Sequence, residues 1–241
     1  MKSFSNHFDR VRFWRVGSSD DVIVAKVLAG ETRLFEVLMR RYNQRIYRAV
    51  RSLLKADSEV EEVMQQTYVE AFTHLRQLSK AASLRHWLVR IAVNECLTRL
   101  RQQSHFIALG LGIDRIGSSR SADDPEEAAS RRERARLLEV ALEQLPASYR
   151  IVFVLREIEG MSTRDTASAM GVSEDVVKTR LRRSKLSIRR QVTSDIYACR
   201  AGALAFAGSQ CDRMVWSVLG RILPFSRGAH DGSSPERAAG A

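Results

Sequence analysis

Apolar residues recur at intervals of three and four along most of the chain. Phe35, Leu38, Tyr42, Ile46, Ala49 and Leu53 fall on one face of a helix by this spacing. Val60, Val63, Met64, Thr67, Tyr68, Ala71, Phe72 and Leu75 form a second stripe, and Leu84, Leu88, Ala92, Cys96 and Leu100 a third. Polar residues occupy the opposite faces, so each stripe predicts an amphipathic helix. Three such helices suffice to enclose a small shared core. The alternation of period two that marks strands is nearly absent, and the predicted class is all-α.

Residues 148–192 carry a more specific pattern. A helix starting near Ser148 is expected to close at Gly160, a residue suited to the left-handed conformation of helix ends. Ser162 can cap a second helix, with Asp165 three residues later and Ala167 and Met170 facing inward, and Gly171 ends it. Ser173 then caps a last helix whose first turn is acidic, Glu174-Asp175, as the helix dipole favours. Ala167 lets the two helices approach, Gly171 takes the turn and Val177 fills the wedge, which is the steric pattern of a helix-turn-helix. Val177, Leu181 and Ile188 face inward. Lys178, Thr179, Arg182, Arg183 and Lys185 lie outward, placed to meet a major groove and its phosphates.

Charge divides the chain further. The 241 residues hold 39 Lys and Arg against 28 Asp and Glu, a net charge of +11. Residues 29–103 carry 13 basic and 8 acidic side chains and residues 131–193 carry 14 and 8, whereas 104–130 carry 2 and 5. That middle stretch is rich in glycine and serine and lacks a hydrophobic period, so it reads as a flexible linker. The expected organisation is a disordered N-terminus over 1–19, a helical domain over 20–103, a linker over 104–130, a helix-turn-helix domain over 131–193 and an extension over 194–241. A polyanion is the partner such a basic chain suits. Cys96, Cys199 and Cys211 form no close pair, which argues against a disulfide framework and fits a reducing cytosol. No apolar run is long enough to span a membrane, and the N-terminus lacks a signal core. The histidines lack metal-ligand spacing, and neither a phosphate-cradling glycine loop nor a nucleophile elbow is present, so no metal, cofactor, small-molecule substrate or enzymatic activity is expected.

Opposite the apolar stripe of the third helix lie His86, Trp87, Arg90, Asn94, Thr98 and Arg101. A ring that can stack, an amide that can pair with a base edge and two arginines suit single-stranded nucleic acid, although packing of Trp87 and solvation of Asn94 explain the pattern equally well. The run Trp87-Leu-Val-Arg-Ile-Ala-Val-Asn94 resembles the promoter-melting helix of bacterial RNA polymerase sigma factors of the extracytoplasmic-function type. Asp57-Ser-Glu-Val-Glu-Glu-Val-Met-Gln-Gln-Thr-Tyr68 is similar to their polymerase-gripping segment. Leu145-Pro146, Leu155-Arg-Glu-Ile-Glu-Gly160-Met-Ser and Val177-Lys-Thr-Arg-Leu-Arg-Arg183 resemble their fourth domain. The likeness covers residues 20–193.

The resemblance implies an alternative sigma factor that binds core RNA polymerase at its clamp and flap, recognises promoter DNA and nucleates melting, with an anti-sigma factor as a further partner. It assigns Glu61, Glu62, Gln65, Gln66 and Tyr68 to core polymerase, and Trp87, Arg90, Asn94, Thr98 and Arg101 to the minus-ten element. Ser173, Lys178, Thr179, Arg182, Arg183 and Lys185 are assigned to the minus-thirty-five element, and the loop Gln77–Ser83 to capture of a flipped base. Departures from the family pattern fall at Gln66, Leu78, Thr98 and Val176. A sigma-like decoy for an anti-sigma factor, a stand-alone helix-turn-helix regulator and a recombinase are the competing readings. In the extension, Phe206, Met214, Val215, Trp216, Val218, Leu219, Ile222 and Leu223 predict one more amphipathic helix near 209–223. It is expected to pack on the preceding domain, with docking to a regulator or a membrane surface as the alternatives.

Overall fold

The computed structural model describes residues 18–78, 84–108, 126–191, 203–206 and 208–228. Residues 1–17, most of the loop Gln77–Ser83, the centre of the expected linker and Cys199 lie outside the described residues. Nine helices are named in chain order. The first four are α1 (Asp20–Leu28), α2 (Phe35–Arg51), α3 (Asp57–Thr73) and α4 (Leu84–Ala108), with short 3-10 turns at Thr32–Leu34 and Leu75–Gln77. Then come α5 (Glu126–Glu143), α6 (Ala147–Phe153), which runs into a π-helical turn at Val154–Ile158, α7 (Thr163–Met170), α8 (Glu174–Gln191) and α9 (Gly208–Gly228). No strand occurs among the described residues, and the class is all-α as expected.

Helices α1–α4 close the first core. The stripes of α2 and α3 meet through Phe35, whose ring stands edge-on to Tyr68 and Phe72 at centroid distances of 6.3 and 5.4 Å. Asp20 at the start of α1 accepts from Arg41 (2.7 Å) and from the Tyr42 hydroxyl, pinning α1 across α2. The thiol of Cys96 is buried in α4, and that burial pushes its pKa up to about 12, so it is an apolar filler rather than a nucleophile. In the second module Leu138, Ala141, Leu142 and Leu145 pack with Phe153, Val154 and Ile188. The buried Arg150 donates to the Leu145 carbonyl at 3.0 Å.

The two modules do not stand apart. Helix α4 packs on α2 and α3 with one side and on α7 with the other. Val89 and Val93, outside its predicted stripe, are therefore fully buried. Ile151, Leu155, Met161, Ala167, Met170 and Val177 of the second module belong to the same continuous apolar cluster as the first core. Glu159, at the end of the π turn, inserts its carboxylate between Arg45 (3.0 Å) and Arg48 (3.1 Å) of α2. Arg45 and Arg48, which lie off the apolar stripe of α2, form an inter-module clasp with it. Helix α4 runs to Ala108 and α5 starts at Glu126.

The extension meets its expectation in part: Ala203 is buried in the second module's core and the Leu204 amide donates to Glu139 of α5 at 2.6 Å. Residues Ala203–Phe206 form a strap over α2. Gln44 donates to the Leu204 carbonyl (2.6 Å) and accepts from the Phe206 amide (2.8 Å), Arg48 donates to the Ala203 carbonyl (3.0 Å), and Phe206 stacks on Tyr47. Helix α9 then lies along α3, α2 and the Thr32–Leu34 turn of the first module, not on the module that precedes it in sequence. Met214, Val215, Val218, Leu219 and Ile222 are buried, each contributing roughly 1.5–3 kcal/mol. They pack against α2 and α3. The helix also runs past Pro224 and ends at Gly228.

Removing the Glu159 carboxylate leaves two guanidinium groups facing each other. Glu159→Ala is expected to destabilise the chain by about 2 kcal/mol, less than for a fully buried pair because both arginines keep some solvent contact. Chemical denaturation of the variant and the wild type measures the loss, and an unchanged midpoint would show that the clasp contributes nothing.

Candidate nucleic-acid and partner interface

Two helix faces present the groups that suit nucleic acid. The first is built by the turn between α7 and α8. Ser162 caps α7, its hydroxyl oxygen accepting from the Asp165 amide at 3.0 Å. Gly171 adopts a left-handed φ of +63°, and the Val172 amide bonds to the Ala167 carbonyl at 3.1 Å, closing the helix. Ser173 receives the Val176 amide at 3.4 Å, and Val177 is buried in the wedge. Helix α8 thus starts in a fixed direction, with Lys178, Thr179, Arg182 and Arg183 exposed along it and Lys185 half-buried. Over 18 residues it spans about 27 Å at ~1.5 Å per residue.

Three of its cations already have protein partners. Lys178 pairs with Asp175 (3.0 Å), and that hydrogen bond raises its pKa. Arg183 donates to the Tyr149 hydroxyl (3.1 Å), and Lys185 meets Glu157 (2.8 Å). Ser184 turns inward, its hydroxyl within hydrogen-bond distance of the Tyr149 carbonyl (3.0 Å) and the Arg180 carbonyl (2.7 Å). Ser184 and Arg183 thereby tie α8 to Tyr149 of α6, while Lys178, Thr179 and Arg182 face out.

The second face lies on α4. Arg90, Asn94, Thr98 and Arg101 are all exposed, on one side, and Trp87 next to them is half-buried against the core. His86 belongs to a different face: with Val89 and Val93 it turns toward α7, where its Nδ1 lies 3.6 Å from Asp165. A third surface is the outside of α3. Glu62 and Gln66 are exposed, Glu61 and Gln65 partly so, with Glu62 held by Arg99 of α4 (2.8 Å) and Glu61 by Arg213 of α9 (3.3 Å).

Comparison with known proteins agrees with this layout. The family model "Sigma-70 region 2" matches residues 38–106, across α2–α4, and "Sigma-70, region 4" matches residues 135–188, across α5–α8. The chain belongs to the extracytoplasmic-function sigma factors. It is 28% identical to the RNA polymerase sigma factor NccH of Alcaligenes xylosoxydans xylosoxydans, over 71% of this chain and 93% of that protein. It is likewise 28% identical to the ECF RNA polymerase sigma factor SigM of Mycobacterium tuberculosis, over 71% and 84%. The fold matches that of the sigma factor RpoE from Bartonella quintana, solved with the anti-sigma factor NepR (TM-score 0.51, 20% identity, 63% of this chain and 91% of that one). Helix α9 lies beyond both family regions.

Among the residues expected to contact polymerase, Tyr68 of this sigma factor stands apart. It is fully buried, its hydroxyl bonds to the Met39 carbonyl at 3.3 Å, and burial raises its pKa well above the ordinary phenol value. Its position on the α3 apolar stripe signals this role. Arg45, Arg48, Glu159 and Ser184 were missed by sequence reasoning, since each pairs with a residue distant in sequence or lies on a helix face that reads as solvent. No group of His, Cys, Asp and Glu suited to a metal occurs among the described residues.

The α4–α7 contact of the sigma factor carries a pH dependence. Burial lowers the His86 pKa below 6.5, with Asp165 opposing and Arg85 and Arg45 reinforcing the shift. The unfolded chain then binds more protons, so this contribution is present above the unfolded pKa and is lost as pH falls. His86→Gln is expected to flatten part of the change in Tm between about pH 5.5 and 7.5. Parallel pH profiles for variant and wild type would show otherwise.

Proposed function

We propose that this alternative sigma factor divides promoter recognition between its two exposed faces. The basic side of α8, with Ser173 at its cap and Lys178, Thr179, Arg182, Arg183 and Lys185 along it, enters the major groove of the minus-thirty-five element. Phosphate contacts there set register, and a few side chains read bases. Arg90, Asn94, Thr98 and Arg101 of α4 take the unstacked strand of the minus-ten element, with Trp87 at the edge of that surface. Glu61, Glu62, Gln65 and Gln66 on α3 meet the polymerase clamp, and the second module meets the flap. The loop Gln77–Ser83 receives the flipped base. Family membership supports an initiation factor with no covalent chemistry of its own, acting in the cytoplasm, with an anti-sigma factor as regulator. No described helix is long and apolar enough to cross a membrane.

The observation that carries this reading is the order of the two sigma-70 regions together with exposure of the polar face of each DNA-facing helix. A decoy needs no such faces, and a stand-alone regulator needs no first module. The closed packing adds a requirement. The two promoter elements are centred about 25 base pairs apart, or ~85 Å along the duplex, so α4 and α7 must part when both are engaged.

Run-off transcription with purified core RNA polymerase on genomic fragments tests the function directly. Discrete transcripts are expected only when this chain is added. Asn94→Ala is expected to impair promoter opening more than polymerase binding, and equal loss of both would remove Asn94 from the melting surface. Arg182 is exposed on α8. Arg182→Ala is expected to reduce the salt slope of upstream-element binding by about one unit if the contact is to phosphate. An unchanged slope would assign it to a base or to no contact.

A further inference from the structure

The segment of α3 proposed to meet polymerase is partly occupied by the chain itself. Glu61, Gln65 and Tyr68 fall on one side of α3 by their spacing. That side lies along α9: Arg213 pairs with Glu61, and Cys211 lies close enough to Tyr68 to influence its phenol. Five apolar side chains of α9 fill the groove between α2 and α3, and at the rim Asp212 accepts from Arg40 (2.6 Å). Cys211 lies 2.9 Å from the buried Asn43 amide nitrogen, while the Asn43 carbonyl oxygen is buried without a partner. The opposite side of α9 is exposed and carries Arg213 and Arg221, with Trp216 at 48% exposure.

Resting on the reading of α3 as the polymerase-facing helix, we propose that α9 is a releasable internal occupant of the α2–α3 groove, so that the chain limits its own access to core polymerase. The fastening suits release. Its ion pairs are partly exposed, with Arg213 at 64%, Asp212 at 56% and Glu61 at 37% side-chain exposure. One buried polar atom under α9 is left unsatisfied, which weakens the seat relative to a permanent core. The sigma-70 regions end before α9 begins, so the helix is an addition to them. Apparent affinity for polymerase falls in proportion to the fraction of molecules with the groove open.

The test uses the full chain and changes α9 alone. The double variant Asp212→Arg/Arg213→Glu reverses both rim pairs, and Val218→Asp places a carboxylate on the buried face. Hydrogen exchange reports release of α9, and titration with purified core polymerase reports affinity. Both variants are expected to lose amide protection across 208–228 and to bind core polymerase about fivefold tighter or more. Release of α9 with unchanged or weaker affinity, while the wild type binds, overturns the proposal and leaves the function standing. Failure of every form to bind polymerase overturns both, since the groove then has no competitor. Should Val218→Asp misfold, the rim variant decides alone.

Discussion

A carboxylate buried between two guanidinium groups governs how this chain is assembled. Desolvating Glu159 is tolerable only because Arg45 and Arg48 surround it, and those arginines sit on α2 while Glu159 closes the π turn of the second module. Once the clasp is made, Gly160 reverses the chain with a left-handed φ of +65°, and α7 is delivered against α4. The helix-turn-helix therefore takes its position from a charge cluster outside itself. The interface mixes this cluster with Val89, Val93, Ala167 and Met170, a composition closer to a reversible domain contact than to a single core.

Local features were legible in the residues because their physics is local. The stripe from Phe35 to Leu53, the caps at Ser162 and Ser173, the turn at Gly171 and the wedge at Val177 all depend on neighbours within about two helical turns. The exposed row Arg90, Asn94, Thr98 and Arg101 follows from the same periodicity. What the sequence did not disclose depends on distant pairing. Arg45 and Arg48 look like any basic helix face until Glu159 is placed, and nothing along α9 says that its apolar side fits α2 and α3 rather than the neighbouring module. Tyr68 shows how a motif can overlap a core stripe: one residue satisfies both patterns, and its ring lies in the core here.

The surfaces proposed to face DNA share a design. On α8, Arg183, Lys185 and Ser184 are tied to Tyr149 or Glu157, so part of its ordering cost is met before any ligand arrives. On α4, the exposed row sits on a helix packed on two sides, which suits the proposed presentation of an amide to an unstacked base. Each helix proposed to read DNA is thus held by contacts within its own module.

The order of synthesis gives α9 a temporal meaning. The groove it fills is built from residues 35–73, yet the helix begins only at Gly208. At about 5–20 residues per second, roughly 7–27 s pass between completion of α3 and emergence of α9 from the ribosome. During that interval the nascent first module presents the groove bare. A ligand that reaches it then meets no competitor, whereas one arriving later must displace a helix tethered to the same molecule.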